Sequence, residues 1–204
     1  NGVYIYHKRL FNIFHSNSSN DVFYAQCPTA DSNSIYSGNP LQIIGKSNSP
    51  KIEKEDEYSY EQNSMYRDKD LNCWFAKKDT LFCIDHKTNR VSKSEQSAIV
   101  QKKKIFCLHR KDDASFYFGT AFSIFTCKID SGIKKTNDFP ENIIQPYCML
   151  KVSDSIILIG THIGIYQLNE YTNRLNYSCL SNRIVRALFK ASNGLILAGT
   201  YGNG

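Results

Sequence analysis

The chain has 204 residues, with 25 Lys plus Arg against 19 Asp plus Glu, a net charge of +6. Hydrophobic residues make up 41% and charged residues 22%, which excludes wholesale disorder. The basic excess is too mild for a dedicated nucleic-acid domain, and the longest apolar run, Ser155 to Gly160, suits one buried strand and not the roughly 18–20 residues that span a bilayer.

Taken in chain order, the first element is Asn1-Gly-Val-Tyr-Ile-Tyr6, an apolar strand opening a half unit over 1–22. Four full units follow, over 25–58, 61–100, 102–139 and 145–180, and a last half unit covers 183–204. The charged stretch from Lys51 to Glu57 reads as an exposed loop, and Lys102-Lys-Lys104 as a solvated connection between units. With no initiating Met and an end inside a Gly-rich turn, the chain reads as a segment of something longer.

The units are recognised by columns in one register. Gly119-Thr120, Gly160-Thr161 and Gly199-Thr200 form a corner repeated at spacings of 41 and 39 residues. The frame extends back to Ala76 and then to Gly38 in Ile35-Tyr36-Ser37-Gly38. Five and six residues after each corner comes an apolar pair: Ile43-Ile44, Leu81-Phe82, Ile124-Phe125 and Ile165-Tyr166. Nine residues before it lie Arg67, Arg110, Lys151 and Lys190, followed by a polar turn. Twelve before it lie the small residues Ser64, Cys107, Cys148 and Ala187.

Each unit converts into strand, polar turn, strand, Gly-containing corner, strand, turn and a weaker fourth strand. Four antiparallel strands every ~40–45 residues describe a β-propeller blade. The fold expected is all-β: a β-propeller segment of four-stranded antiparallel blades, about five blade equivalents long. It is either a five-bladed ring closed by its own ends or a slice of a larger ring.

The stretch Ile184 to Gly204, with its Asn-Gly turn and its Leu-Ala-Gly-Thr strand, resembles the two-component regulator propeller repeat, as does Ile156 to Tyr166. The family's Trp stands once, at Trp74, and is Tyr117, Leu158 or Leu197 elsewhere. This resemblance implies a slice of a seven-bladed propeller in the periplasmic sensor region of a hybrid two-component histidine kinase of Bacteroidetes. It implies an oligosaccharide ligand, control of carbohydrate-use genes, a homodimer of the parent sensor, and a membrane contact only through a transmembrane helix outside this chain. Kinase chemistry would also lie outside it.

The residues suggest a non-catalytic segment with no cofactor, no metal site and no nucleic-acid partner. The five His show no metal-ligand spacing, and no nucleophile motif occurs. The basic column Arg67, Arg110, Lys151 and Lys190 could ring one face and suit an anionic oligosaccharide, or each charge could pair with its own acidic turn. Tyr36, Trp74, Tyr117 and Tyr201 are candidate sugar-stacking rings, or they pack between blades. The corner residues Gly38, Gly119, Thr120, Gly160, Thr161, Gly199 and Thr200 read as structural: Gly for a backbone conformation closed to other residues, Thr for a hydroxyl bonded within the turn. Cys73 and Cys83, read as facing each other in a hairpin centred near Lys78, could form a cross-strand disulfide or remain thiols. The competing functions are a protein-interaction scaffold and a propeller hydrolase or lyase acting on glycans.

Overall fold

The structure, a computed structural model, describes residues 65–94, 103–140 and 144–202 in full. Nearer the N-terminus it describes the backbone of five strands, pairing β1 (Val3–His7) with β2 (Leu10–Phe14), and β3 (Gln26–Pro28) with β4 (Ser34–Gly38) and β5 (Leu41–Gly45). The loop expected at 51–57 and the side chains of Tyr36 and Gly38's neighbours lie outside the described residues.

Three complete four-stranded antiparallel sheets follow. The first holds β6 (Tyr66–Arg67), β7 (Cys73–Lys77), β8 (Thr80–Ile84) and β9 (Val91–Lys93). The second holds β10 (Ile105–Arg110), β11 (Ser115–Thr120), β12 (Ser123–Lys128) and β13 (Gly132–Asp138). The third holds β14 (Pro146–Lys151), β15 (Ile156–Thr161), β16 (Gly164–Asn169) and β17 (Arg174–Cys179), and the pair β18 (Ile184–Lys190) and β19 (Ile196–Tyr201) completes the chain. Every sheet is built from strands consecutive in sequence, and the first strands pack side by side, β10 beside β14 and β14 beside β18. This is a slice of a β-propeller.

The core lies between blades, because alternate residues of a strand face opposite sides of its sheet. In β11, Phe116 and Phe118 turn toward the preceding blade and pack with Tyr66, Trp74 and Leu81. Tyr117 turns the other way and packs with Met149, Ile157, Ile159 and Tyr166 of the following blade. Phe118 stacks on Phe125 with ring centroids 5.0 Å apart and planes 3° from parallel. These aromatic pairs add to the area they bury.

The outer turns repeat as well. Asp85 Oδ1 accepts hydrogen bonds from the backbone N–H of Lys87 and Thr88, and Asn169 Oδ1 accepts them from Tyr171 and Thr172. Both turns end in Thr-Asn-Arg, with Asn89 at φ 54° and Asn173 at φ 53°. Asn tolerates that left-handed conformation better than most residues.

One irregularity recurs in the inner strands. The pairing slips by a residue between Ile105 and Cys107, between Pro146 and Cys148, and between Val185 and Ala187. Phe106, Tyr147 and Arg186 are the extra residues of these three bulges, each 13 residues before its corner Gly.

Candidate functional site

The corners at Thr120 and Thr161 are closed by their own hydroxyls. Thr120 Oγ1 donates to the Ser123 carbonyl at 3.2 Å and accepts from the Ser123 N–H at 3.2 Å. Thr161 Oγ1 donates to the Gly164 carbonyl at 2.8 Å and accepts from the Ile163 N–H at 3.2 Å. Both side chains are fully buried. The glycines differ from expectation. Gly119, Gly160 and Gly199 are absent from the left-handed region, so conformational freedom is not what their places require. A Cβ on Gly119 would lie 2.5 Å from Pro146 Cγ, and one on Gly160 would lie 2.6 Å from Cys148 Sγ and 2.8 Å from Val185 Cγ1. At Gly119 and Gly160 the corner must be Gly because the next blade's inner strand passes close over it, through Pro146 and Val185.

At the opposite end of the blades lies the basic column, and its charges are engaged locally. Arg110 pairs with Asp113 of its own turn. Lys151 pairs at 3.1 Å with Glu170, a residue of the β16–β17 turn and not of its own acidic turn. Lys190 Nζ donates to the Val152 carbonyl of the preceding blade at 2.6 Å, and Arg67 is engaged too. Arg110 and Asp113 are 63% and 72% exposed, so that pair adds little stability.

A buried polar cluster sits between two blades at this end. Tyr117 OH donates to Glu170 Oε1 at 2.7 Å, joining β11 to the following blade. Burial, with the Glu170 carboxylate beside it, pushes the Tyr117 phenol well above its ordinary range. His109, opposite Tyr117 in the β10–β11 pairing, has its Nε2 buried without a hydrogen-bond partner among the described residues. Burial is the main cause that lowers the His109 imidazole to about 4; Glu170 opposes the shift and Lys151 adds to it. His109 is therefore neutral at pH 7. Neither His109 nor Glu170 stood out in sequence, because their contact joins residues of different blades.

The expected stacking rings divide. Trp74 and Tyr117 are buried, 7% and 1% exposed, and neither offers a ring face to a sugar. Trp74 Nε1 donates to Asp68 Oδ2 at 2.8 Å, and its ring packs 5.6 Å from Phe116. Asp68 also accepts from the Asn72 backbone N–H at 2.9 Å. Tyr201 alone of the described three is open, 68% exposed. Beside the Asp68 network a shallow cavity of about 380 Å³ is lined by Lys69, Asp70, Leu71, Asn72, Asp85, His86 and Lys87, whose charges are mixed.

Cys73 and Cys83 are not opposite. Cys73 faces Ile84 and Trp74 faces Cys83, because the turn has two residues, Lys78 and Asp79. The offset puts the two side chains on opposite faces of the sheet: Cys73 packs with Phe75 and Ile84, Cys83 against the Trp74 cluster. Both are free thiols. Among the described residues, no group of three His, Cys, Asp or Glu gathers as a metal site.

The bulge residues make the most continuous chemical feature at the corner end. Tyr147 meets Phe106 edge-on with centroids 6.5 Å apart. The Arg186 guanidinium carbon lies 3.8 Å from the Tyr147 centroid and 5.9 Å from that of Tyr201. Lys104 Nζ lies 5.2 Å from the Phe106 centroid. Tyr147 OH donates to Gln145 Oε1 at 2.8 Å, and the Gln145 N–H donates to His162 Nδ1 at 3.0 Å. The column at 13 residues before the corner was visible in the sequence only as a position, since Phe, Tyr and Arg share no side-chain type.

No protein-family model and no curated protein matches the chain. Solved structures do. The extracellular domain of BT4673 from B. thetaiotaomicron, assigned to a hybrid two-component system, superposes with a TM-score of 0.72 over 92% of this chain and 26% of its own, at 16% identity. The extracellular domain of BT3049 from the same organism, with the same assignment, gives 0.71 over 91% of this chain and 28% of its own, at 17% identity. A virginiamycin B lyase from Staphylococcus aureus gives 0.69 over 91% and 66%, at 10% identity. The chain thus spans about a quarter of the length of the two extracellular domains. Likeness at this identity carries the propeller fold and nothing finer.

Proposed function

We propose that the chain is part of a ligand-sensing propeller in the periplasmic region of a two-component signalling protein, and that its signal is an oligosaccharide governing carbohydrate-use genes. The observation that carries this reading is the structural likeness, over nine-tenths of the chain, to two extracellular domains assigned to such systems. The repeat columns support it independently. In this reading the segment binds and does not catalyse. The lyase neighbour has the same scaffold, but His109 and Glu170 are half-buried, with His109 Nε2 and Glu170 Oε2 shielded from solvent beside Tyr117, and do not line an open cleft.

Signalling requires that ligand bind two states of the sensor unequally, here two poises of a homodimer. The test is a thermal-shift screen of the full-length protein against neutral and acidic oligosaccharides, with hits confirmed by calorimetry. Ligand at ~100 times its Kd adds about 2.7 kcal/mol. A saturable shift with one sugar class is the expected result. No shift across a broad panel overturns the reading and favours a protein-binding scaffold; turnover of the sugar favours a glycan hydrolase or lyase.

A further inference from the structure

The complete sheet β6–β9 ends in two turns that hold the cavity of about 380 Å³ between them, Lys69 to Asn72 on one side and Asp85 to Lys87 on the other. Its size falls within the range of small-molecule sites, roughly 300–1,000 Å³. Both turns lie at one end of the sheet, so the cavity is no face that a neighbouring blade would cover. The following blade is complete and braces the first turn, with the Lys69 N–H donating to the Asp113 carbonyl at 3.1 Å. The two walls are tied together. Asp68 holds Asn72, accepting from its backbone N–H at 2.9 Å and from Nδ2 at 3.3 Å. Asn72 Oδ1 accepts in turn from the His86 N–H at 3.2 Å, 14 residues along the chain. Leu71 sits in the left-handed region at φ 67°, where the turns at Asn89 and Asn173 use Asn. That conformation is uncommon for so bulky a side chain, and strain of this kind gathers at ligand clamps.

We propose that this cavity binds a neutral sugar ring of an oligosaccharide, whose neighbouring hydroxyls donate to Asp70 and accept from Lys69 and Lys87. The proposal rests on the oligosaccharide reading above and narrows it to a site and a ligand class. Lys69, Asp70 and Lys87 line the cavity, and none of their side chains makes a hydrogen bond or ion pair with a described residue. The basic column differs, since Arg110 and Lys151 already hold carboxylates and Lys190 holds a carbonyl. With Asp85 included, the lining carries ammoniums and carboxylates in equal number, so no net charge selects an ion. A hydroxyl both donates and accepts, and such a mixed set satisfies it from both sides. His86 adds an acceptor. Its Nδ1 lies 3.4 Å from Asn72 Oδ1, an oxygen that can only accept, so the contact needs the hydrogen on Nδ1 and leaves the lone pair on Nε2. Leu71 is the apolar member of the lining, suited to a sugar's C–H groups. Because the two turns are bonded to each other before ligand arrives, binding has little loop to order.

The experiment is titration calorimetry of the full-length protein with cellobiose, mannobiose, galactobiose and xylobiose, and with digalacturonate as the charged comparison. The expected result is saturable binding of a neutral disaccharide. Asp70→Asn keeps the shape and removes the charged acceptor; Lys87→Gln removes a charged donor. Each should weaken that binding about ten- to a hundredfold, with an unchanged melting temperature, because both residues are exposed. Neutral-sugar binding indifferent to either substitution overturns the site and leaves the sensor reading standing, as does binding of digalacturonate alone. Failure of every sugar overturns both.

Discussion

Gly160 lies where the inner strand of the following blade crosses the corner. A methyl group on Gly160 would press on Cys148 Sγ at 2.6 Å, on Val185 Cγ1 at 2.8 Å and on the Val185 carbonyl at 3.0 Å, and backbone cannot yield cheaply. Gly160→Ala should therefore destabilise the chain by about 1–3 kcal/mol, as overpacking does. The denaturant midpoint of the variant checks it. That the corner is Gly-Thr was legible from repetition. Why it is Gly was not, because the reason lies in the next blade, some 25 residues on at Val185.

In a hairpin, one residue of register decides which side chains can meet. A turn centred on Lys78 alone would set Cys73 against Cys83; the two-residue turn sets Cys73 against Ile84 and sends the thiols to opposite faces. No bridge should form between them under oxidising conditions. Alkylation after non-reducing unfolding, followed by peptide mass analysis, should find both modified; a linked peptide pair would show a different register. The strands themselves were legible from apolar runs punctuated by Gly, Asp and Asn, which is why the blade pattern survives contact with the structure. The bulges were not. Nothing in Phe106, Tyr147 or Arg186 signals an unpaired residue, and only pairing partners on β11, β15 and β19 reveal the slip.

At the scale of the molecule, blades are joined through side chains from distant parts of the chain. Tyr117 reaches Glu170 across 53 residues, and Tyr66 OH reaches the Asp112 carbonyl across 46 at 2.9 Å. No local pattern encodes such contacts, so the polar seam stayed hidden while the repeat was plain. The seam makes stability depend on pH. His109 is held neutral with its imidazole lowered to about 4 from 6.5, so the unfolded chain binds the proton more readily. Stability should fall as pH drops from about 6.5 to about 4, by on the order of 3 kcal/mol when complete, and that loss should then level off. Asp85, Asp112 and Asp138, all lowered carboxylates, lose their contribution only below that window. Urea denaturation at stepped pH should show the upper phase in the native sequence and its absence in His109→Gln; the same phase in both would exclude His109 as its source.

The outer rim carries a join of another kind. Asn137 Nδ2 donates to the Asn173 carbonyl, and Asn173 Nδ2 donates back to the Thr136 carbonyl at 2.6 Å. Each carboxamide gives the neighbouring blade a hydrogen that no carboxylate could give. Hydrolysis of either amide to Asp, the slow chemical ageing to which Asn is prone, would barely alter shape and would suit the left-handed backbone at Asn173. It would nevertheless set a negative oxygen against a carbonyl oxygen. This clasp can thus be unfastened by time alone, with one dalton gained and no residue lost, loosening the outer edge of the two blades it joins.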